Sequence, residues 1–289
     1  MTQQAIPTIA FNHPQRLADR LAIDSMVAPD VLREVEKFHR QSSLLRRSRF
    51  GLDMTVFHDK GLLKRLNRRT LRVSDVRVES VADSRKLGVH GLQRDRSQRS
   101  FAPTESLALD TLKQLLFHSF STGASHSGGS APPCASAGGV YAVNVFVAPL
   151  VPVVGAGFKP DSLMHFDRRE CVLFRMSSCS AHAAVNVCLD GEPGSAPDSF
   201  SGAALMLTYV IDLELSTLRY AERGYRFSLI ESGLMAQQAT LVGQVLGLSS
   251  CMFGGFPDAE LASALGLNAR KMLPCLVQFF GVPLRAVKL

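Results

Sequence analysis

No stretch of this chain approaches the roughly 18 uninterrupted apolar residues that span a bilayer, so the sequence predicts no membrane helix. The N-terminal sequence MTQQAIPTIAFNHPQRLADRL lacks a basic start followed by an apolar core, so it does not read as a secretory signal. Cysteine is scattered, at Cys134, Cys171, Cys179, Cys188, Cys251 and Cys275, with no CxxC spacing. The expectation is free buried thiols in a reducing cytoplasm. Cys179, His182 and Cys188 lie close together but have no evident fourth ligand, so no metal site is expected. The basic residues are not interleaved with aromatics, and no zinc-finger or RNA-recognition pattern occurs, which argues against nucleic acid.

What is present suffices for a full core: 289 residues, 46% of them apolar. The charge is uneven. Residues 1–100 hold 20 Lys/Arg against 11 Asp/Glu and the remainder 12 against 14, so the net +7 divides into +9 and −2. A basic N-terminal third fits an anionic partner: a phosphate, an acidic peptide or another subunit. Residues 1–25 read as a polar arm broken by Pro7 and Pro14. Residues 29–49 read as a helix with Val31, Leu32, Val35 and Phe38 on one face, 62–69 as a short basic helix, and 71–81 as a strand.

Further along, GLQRDRSQRSF (91–101) packs three arginines around two serines. It is either a solvated basic turn or a phosphate clamp, since guanidinium forks and a serine hydroxyl suit phosphate oxygens. A helix at 108–120 follows, with Leu112, Leu115, Leu116 and Phe120 on one face. Residues 121–139 are small and turn-rich, and 140–149 alternate as a strand. Residues 162–176 read as a hairpin about Asp167-Arg168, 204–213 as a buried strand, and 189–203 between them as a loop. The stretch 219–256 opens with charge and continues as a long helix over 226–246. Its apolar positions Phe227, Ile230, Leu234, Ala236, Ala239, Leu241, Val242, Val245 and Leu246 recur at three- and four-residue steps, as in a buried helix. Gly247 stops that helix. A short strand then ends in Gly254-Gly255, where a backbone without side chains can lie close to a flat ligand. A helix at 257–267 and a strand at 272–283 finish the chain.

The order ERGYRFxLxExGxxAQ, LGLxxCxxGGF, then D-x-E-L-x-x-x-L-G-L resembles the SagB-type branch of the FMN-dependent nitroreductase family, which includes azoline dehydrogenases of thiazole- and oxazole-containing peptide pathways. The resemblance covers about residues 91–283 and implies an α+β fold. Its central mixed, mostly antiparallel sheet is flanked by helices, and it pairs as a homodimer with two FMN sites at the interface. Residues 91–289 would form the FMN domain, and 1–90 a basic extension for docking partners. The clamp reading gains from the match: Ser97, Arg99 and Phe101 fit the family's phosphate-holding element with Arg96 at its second position, while Asp95 replaces its first arginine and Arg94 stands one residue earlier. Ser136, Ala137, Gly138 and Tyr141 match the segment that lies against the flavin ring, commonly from the neighbouring subunit. SLMHFDR resembles the family's G-L-Y-H-Y-D-P segment, which makes His165 structural. Gly254 and Gly255 are candidates for close approach to the flavin, and Arg285 for its phosphate. The family's catalytic Lys-Tyr pair aligns with Arg219-Tyr220. Tyr220 is then the acid/base or orients the ring, and Arg219, always protonated, stabilises negative charge or forms a surface pair with Glu222 or Glu231.

The function implied is oxidation of thiazoline or oxazoline rings in a ribosomally made precursor peptide, in the cytoplasm, beside a YcaO-type cyclodehydratase and precursor-binding subunits. A stand-alone NAD(P)H-dependent nitro or quinone reductase and a flavin-free scaffold subunit remain the alternatives.

Overall fold

The computed structural model describes residues 29–42, 93–121, 132–158, 161–169, 171–190 and 200–284. The chain divides into two compact units, residues 1–45 with 91–289, and residues 46–90. Every described residue falls in the first. The expected arm at 1–25, the helix at 62–69, the strand at 71–81 and Arg285 lie outside the described residues.

The sheet has six strands, every neighbouring pair antiparallel, in the order β5-β4-β2-β6-β8-β7. These are β2 (Val143–Pro149), β4 (Ser162–Asp167), β5 (Val172–Ser180), β6 (Leu205–Asp212), β7 (Ser249–Phe253) and β8 (Met272–Gly281). A small parallel pair, β1 (Leu107–Ala108) and β3 (Val153–Val154), stands apart from it. Six helices complete the described residues: α1 (Pro29–Ser42), α2 (Leu109–Phe120), α3 (Ala181–Asp190), α4 (Leu213–Tyr220), α5 (Glu222–Val245) and α6 (Asp258–Ala264). None is long and apolar enough to cross a membrane.

Alternation along the strands divides the core in two. On β6, Leu205, Leu207, Tyr209 and Ile211 face one way, packing with Leu112, Leu115, Leu116 and Phe120 of α2 and with Met235, Ala236 and Ala239 of α5. Met206 and Val210 face the other way, against Ala184 and Cys188 of α3 and Leu261 of α6. The result is helices on both faces of an antiparallel sheet, as the α+β expectation required.

Three expectations change. α5 starts at Glu222 rather than 226, so the ERGYR segment is its first turn. Its buried face shares only part of the apolar stripe: Ala236 and Ala239 are buried, and Val242 and Leu246 pack against the core. Gly224, Ser228, Glu231, Ser232, Ala236, Ala239, Thr240 and Gly243 are buried, whereas Leu229, Ile230, Leu234 and Val245 are exposed. Residues 181–190, read as strand and loop, form α3, whose first turn is held by Asp161: its carboxylate accepts from Ser180 Oγ and from the backbone N–H and Nδ1 of His182. These contacts hold Asp161 below the ordinary carboxylate range, the His182 N–H first among them.

Small residues let α5 lie close to its neighbours. A side chain at Gly224 would overlap the Ser216 carbonyl of α4, and one at Gly243 would meet the Phe280 ring. The buried hydroxyls cost little because Ser228, Ser232 and Thr240 donate to carbonyls four residues back. Gln278 of β8 reaches the Ala236 carbonyl, Thr240 Oγ1 and Ser250 Oγ, and accepts from the Tyr209 hydroxyl at 2.6 Å. α1 docks on the start of α5: Val35 is buried, and His39 Nδ1 and the Tyr225 hydroxyl share a buried hydrogen bond at 2.5 Å. Burial lowers His39 and raises Tyr225, in each case the direction that favours the neutral form. The first helix therefore belongs with the main unit, not with a separate extension over 1–90.

Two of the three glycines of α5 make a paired test. Gly224→Ala should destabilise the protein by about 1–3 kcal/mol through the clash with α4. Gly233→Ala, which meets no atom within 4 Å, should stabilise it by up to about 1 kcal/mol in urea denaturation. Equal effects at both positions would contradict the close approach of α4 and α5.

Candidate active site

The Gln93–Ser100 loop runs along the end of α5 and the start of β7. Gln244 of α5 grips it from both sides: Oε1 accepts from the Asp95 N–H at 3.1 Å, and Nε2 donates to the Gln93 carbonyl at 3.2 Å. Gln98 N–H donates to the Ser250 carbonyl, and Phe101 is buried where side chains at Gly202 or Gly281 would collide with it. So anchored, the loop gathers Arg94, Ser97 and Arg99. Arg94 donates to Ser97 Oγ, Arg99 and Ser97 reach the Cys251 thiol, and the Arg94 charge is felt there too. Burial raises Cys251, and the two guanidinium groups pull the other way. Arg94, Arg96, Ser97 and Arg99 are all exposed, and Arg96 turns its backbone N–H to the Asp95 carboxylate at 2.8 Å. Of the two candidates for the first arginine, Arg94 is the one that bonds Ser97. Arg94 was legible only as a basic residue one position out of register.

The second cluster lies at the other end of α5. Ser136 opens a turn in which Gly138, Gly139 and Tyr141 all have left-handed φ, at 60°, 68° and 54°. Glycine takes this at little cost, but a tyrosine does not, so the surroundings must hold it. Ser136 Oγ accepts from the Tyr141 N–H at 2.7 Å and donates to Glu231 Oε2 at 2.6 Å. Glu231, 3% exposed, receives Arg168 Nη1 on its other oxygen at 3.0 Å, and that arginine is buried as well. In the sequence, Glu231 reads, with Glu222, as one of two surface partners in the alternative reading of Arg219, and Arg168 reads as a turn residue. The structure instead pairs the two in the interior.

Tyr220, the last residue of α4, faces this cluster. A small pocket is lined by Tyr220, Ser136, Ala137, Phe227, Ser228 and Glu231. The Tyr220 ring meets Phe227 edge-on at 5.2 Å. Arg219 precedes it in the same turn. Ala221, which joins α4 to α5, has φ 49° and ψ −136°, a strained conformation that turns the chain sharply after the tyrosine. Asp212 caps α4 by accepting from the Leu215 N–H, and Lys271 pairs with the buried Glu214, so the helix is fixed at its start. The structure therefore brings together Tyr220, Ser136 and Ala137, and separately Ser97 and Arg99. Gly254 and Gly255 follow β7, and a side chain at Gly254 would meet no atom within 4 Å, which leaves room for a flat group.

The donor set fits a mononucleotide: two guanidinium groups and a serine for a phosphate, glycine backbone and a small-residue turn for a ring, and a tyrosine beside that turn. The model of the Nitroreductase family matches residues 92–281. The microcin B17-processing protein McbC of Escherichia coli is 27% identical over 194 residues, 66% of this chain and 69% of that protein. The fold is similar to a chain of the solved E. coli microcin synthetase McbBCD complex with truncated pro-MccB17 bound, with a TM-score of 0.74, 23% identity, and 90% of this chain and 96% of that one covered. A nitroreductase structure from Ralstonia eutropha follows, with a TM-score of 0.54, 21% identity, and 75% and 88% coverage.

The clamp predicts an unequal arginine scan. Arg94→Ala and Arg99→Ala should each weaken FMN binding about 10–100-fold, the effect of removing a charged hydrogen bond, and Arg96→Ala less than about 3-fold. Fluorescence titration reads this directly, and a dominant Arg96 would overturn the assignment. With the family model matching about two thirds of its length and this donor set in place, the chain belongs to the nitroreductase family of FMN-dependent oxidoreductases.

Proposed function

We propose that this chain is an azoline dehydrogenase: it oxidises thiazoline or oxazoline rings in a ribosomally made precursor peptide to thiazoles or oxazoles, as one subunit of a cytoplasmic heterocycle synthetase. The observation that carries the reading is the meeting of Tyr220 with the Ser136–Ala137 turn, in a chain related to McbC along most of that turn's own domain. Bound FMN supplies the acceptor for the hydride that leaves one ring carbon. The protein has to take the proton from the neighbouring carbon. Tyr220, as its phenolate, would take that proton on Oη and become the neutral phenol, and Arg219, its neighbour in sequence, would supply positive charge rather than a base. Arg94, Ser97 and Arg99 hold the phosphate, the Ser136–Gly138 turn and the Gly254-Gly255 backbone pack against the ring, and the apolar wall at Phe227 excludes water.

The site is completed by a second copy of the chain. Glu231, which holds the ring-side turn, and Gln244, which holds the phosphate loop, are separated by about 20 Å along a helix rising about 1.5 Å per residue. Each cluster is thereby free to serve a different copy's flavin. The outer face of α5 supports this arrangement. Ile230 is 60% and Val245 71% exposed, with Leu229 and Leu234 beside Ile230, an apolar strip suited to a homodimer contact. A YcaO-type cyclodehydratase and precursor-binding subunits are the further partners, since azoline rings must be made before they are oxidised.

Anaerobic mixing of the FMN-loaded protein with a thiazoline-bearing peptide tests the reading. Flavin absorbance should bleach, and Tyr220→Phe should slow the bleaching about 100–10,000-fold, the usual range for lost acid–base catalysis. Bleaching by NAD(P)H without any peptide would assign the chain to the stand-alone reductases instead.

A further inference from the structure

We propose that the buried Arg168–Glu231 pair is a positioning device that holds the Ser136–Tyr141 turn in the shape the flavin ring packs against. The proposal rests on the reading above that this turn faces the ring.

The pair grips the turn at both ends. At its start, Glu231 Oε2 accepts from Ser136 Oγ, whose lone pair takes the Tyr141 N–H. At its end, the Arg168 guanidinium carbon lies 5.3 Å from the centroid of the Tyr141 ring, within cation–π range. Just beyond, Arg168 Nη1 donates to the Val143 carbonyl, where β2 begins, and Nε donates to the Phe120 carbonyl at the end of α2, both at 3.0 Å. One guanidinium thus ties α2, β2, α5 and the turn to each other. Arg168 Nη2 is buried without a hydrogen-bond partner among the described residues. The Tyr141 ring over the same guanidinium offsets part of that cost.

This circuit explains why a tyrosine keeps φ 54°. The left-handed conformation costs free energy unless the contacts on either side fix it. Here the N–H of Tyr141 is bonded inward and its ring is held by a charge. A buried ion pair is a poor source of net stability, because desolvation offsets most of its attraction. It does fix geometry, since a departure of either partner leaves the other charge unpaired in the interior. Glu231 itself stands with Tyr220 and Ser136 in the wall of the same pocket.

The test begins without flavin. In the apo protein, amide exchange at Tyr141 should be slow, and Glu231→Gln and Ser136→Ala should each accelerate it at least about 10-fold, as expected for loss of a charge-assisted bond. FMN binding should weaken about 10–100-fold in each variant, with an altered band shape of the bound flavin. Because both residues act through one chain of contacts, the double variant should be no weaker than the worse single. Ser136→Ala leaves no unpaired charge, so it stays informative if Glu231→Gln fails to fold. Unchanged exchange at Tyr141 in the apo variant overturns the positioning role. Faster exchange with unchanged FMN affinity overturns instead the placement of this turn against the ring. Strictly additive losses would show that Ser136 and Glu231 act separately, which also overturns the proposal.

Discussion

The close seating of α5 on the sheet is the constraint on which the rest of the molecule depends. Glycine, serine, alanine and threonine, not leucine, line its inner face. That choice brings the helix backbone near Ser216 of α4 and Phe280 of β8. It also lets Gln278 bond directly to the Ala236 carbonyl and the Thr240 hydroxyl. Both halves of the site hang on this helix. Its first half presents Phe227, Ser228 and Glu231 to Tyr220 and Ser136, and its last turn presents Gln244 to the phosphate loop. A helix held further away would lose both.

The same packing accounts for what sequence periodicity could and could not reveal. Three- and four-residue steps from Phe227 to Leu246 correctly indicated a helix, but only part of the stripe they pick out, Ala236 and Ala239 with Val242 and Leu246, lies inward. Periodicity finds two faces, and hydropathy then favours the apolar one as the interior. In α5 the interior is served by small residues and self-satisfied hydroxyls, and the apolar residues Ile230, Leu234 and Val245 are left outside. The strands were plainer. The runs at 204–213 and 272–283 are buried on both faces of a central sheet, so nearly every residue is apolar. α3 was obscured because its ten residues follow β5 without a break, and its start is marked by Asp161 from twenty residues earlier.

At the site, local chemistry was legible and long-range chemistry was not. An arginine- and serine-rich loop announces an anion, and Tyr220 stands in a recognisable run. Nothing near Glu231 in the sequence marks it as buried, because its partner Arg168 lies 63 residues away on the hairpin turn. Arg94, one residue out of the motif's register, is seen beside Ser97 only in the folded loop, which Gln244 holds through the Asp95 N–H. The N-terminal helix was legible as amphipathic, with Val35 and Leu32 inward, but its attachment to Tyr225 was not. α1 therefore rests on the same first turn of α5 that follows Tyr220, and it extends the main unit beyond the 92–281 span of the family model.

If these clusters form a flavin site, the purified protein binds flavin. Its absorbance spectrum, with identification of the cofactor freed on denaturation, decides this. Visible flavin bands and free FMN are expected. A colourless protein that releases no flavin and takes up none when FMN is added would contradict it, and would leave a scaffold subunit built on a nitroreductase frame.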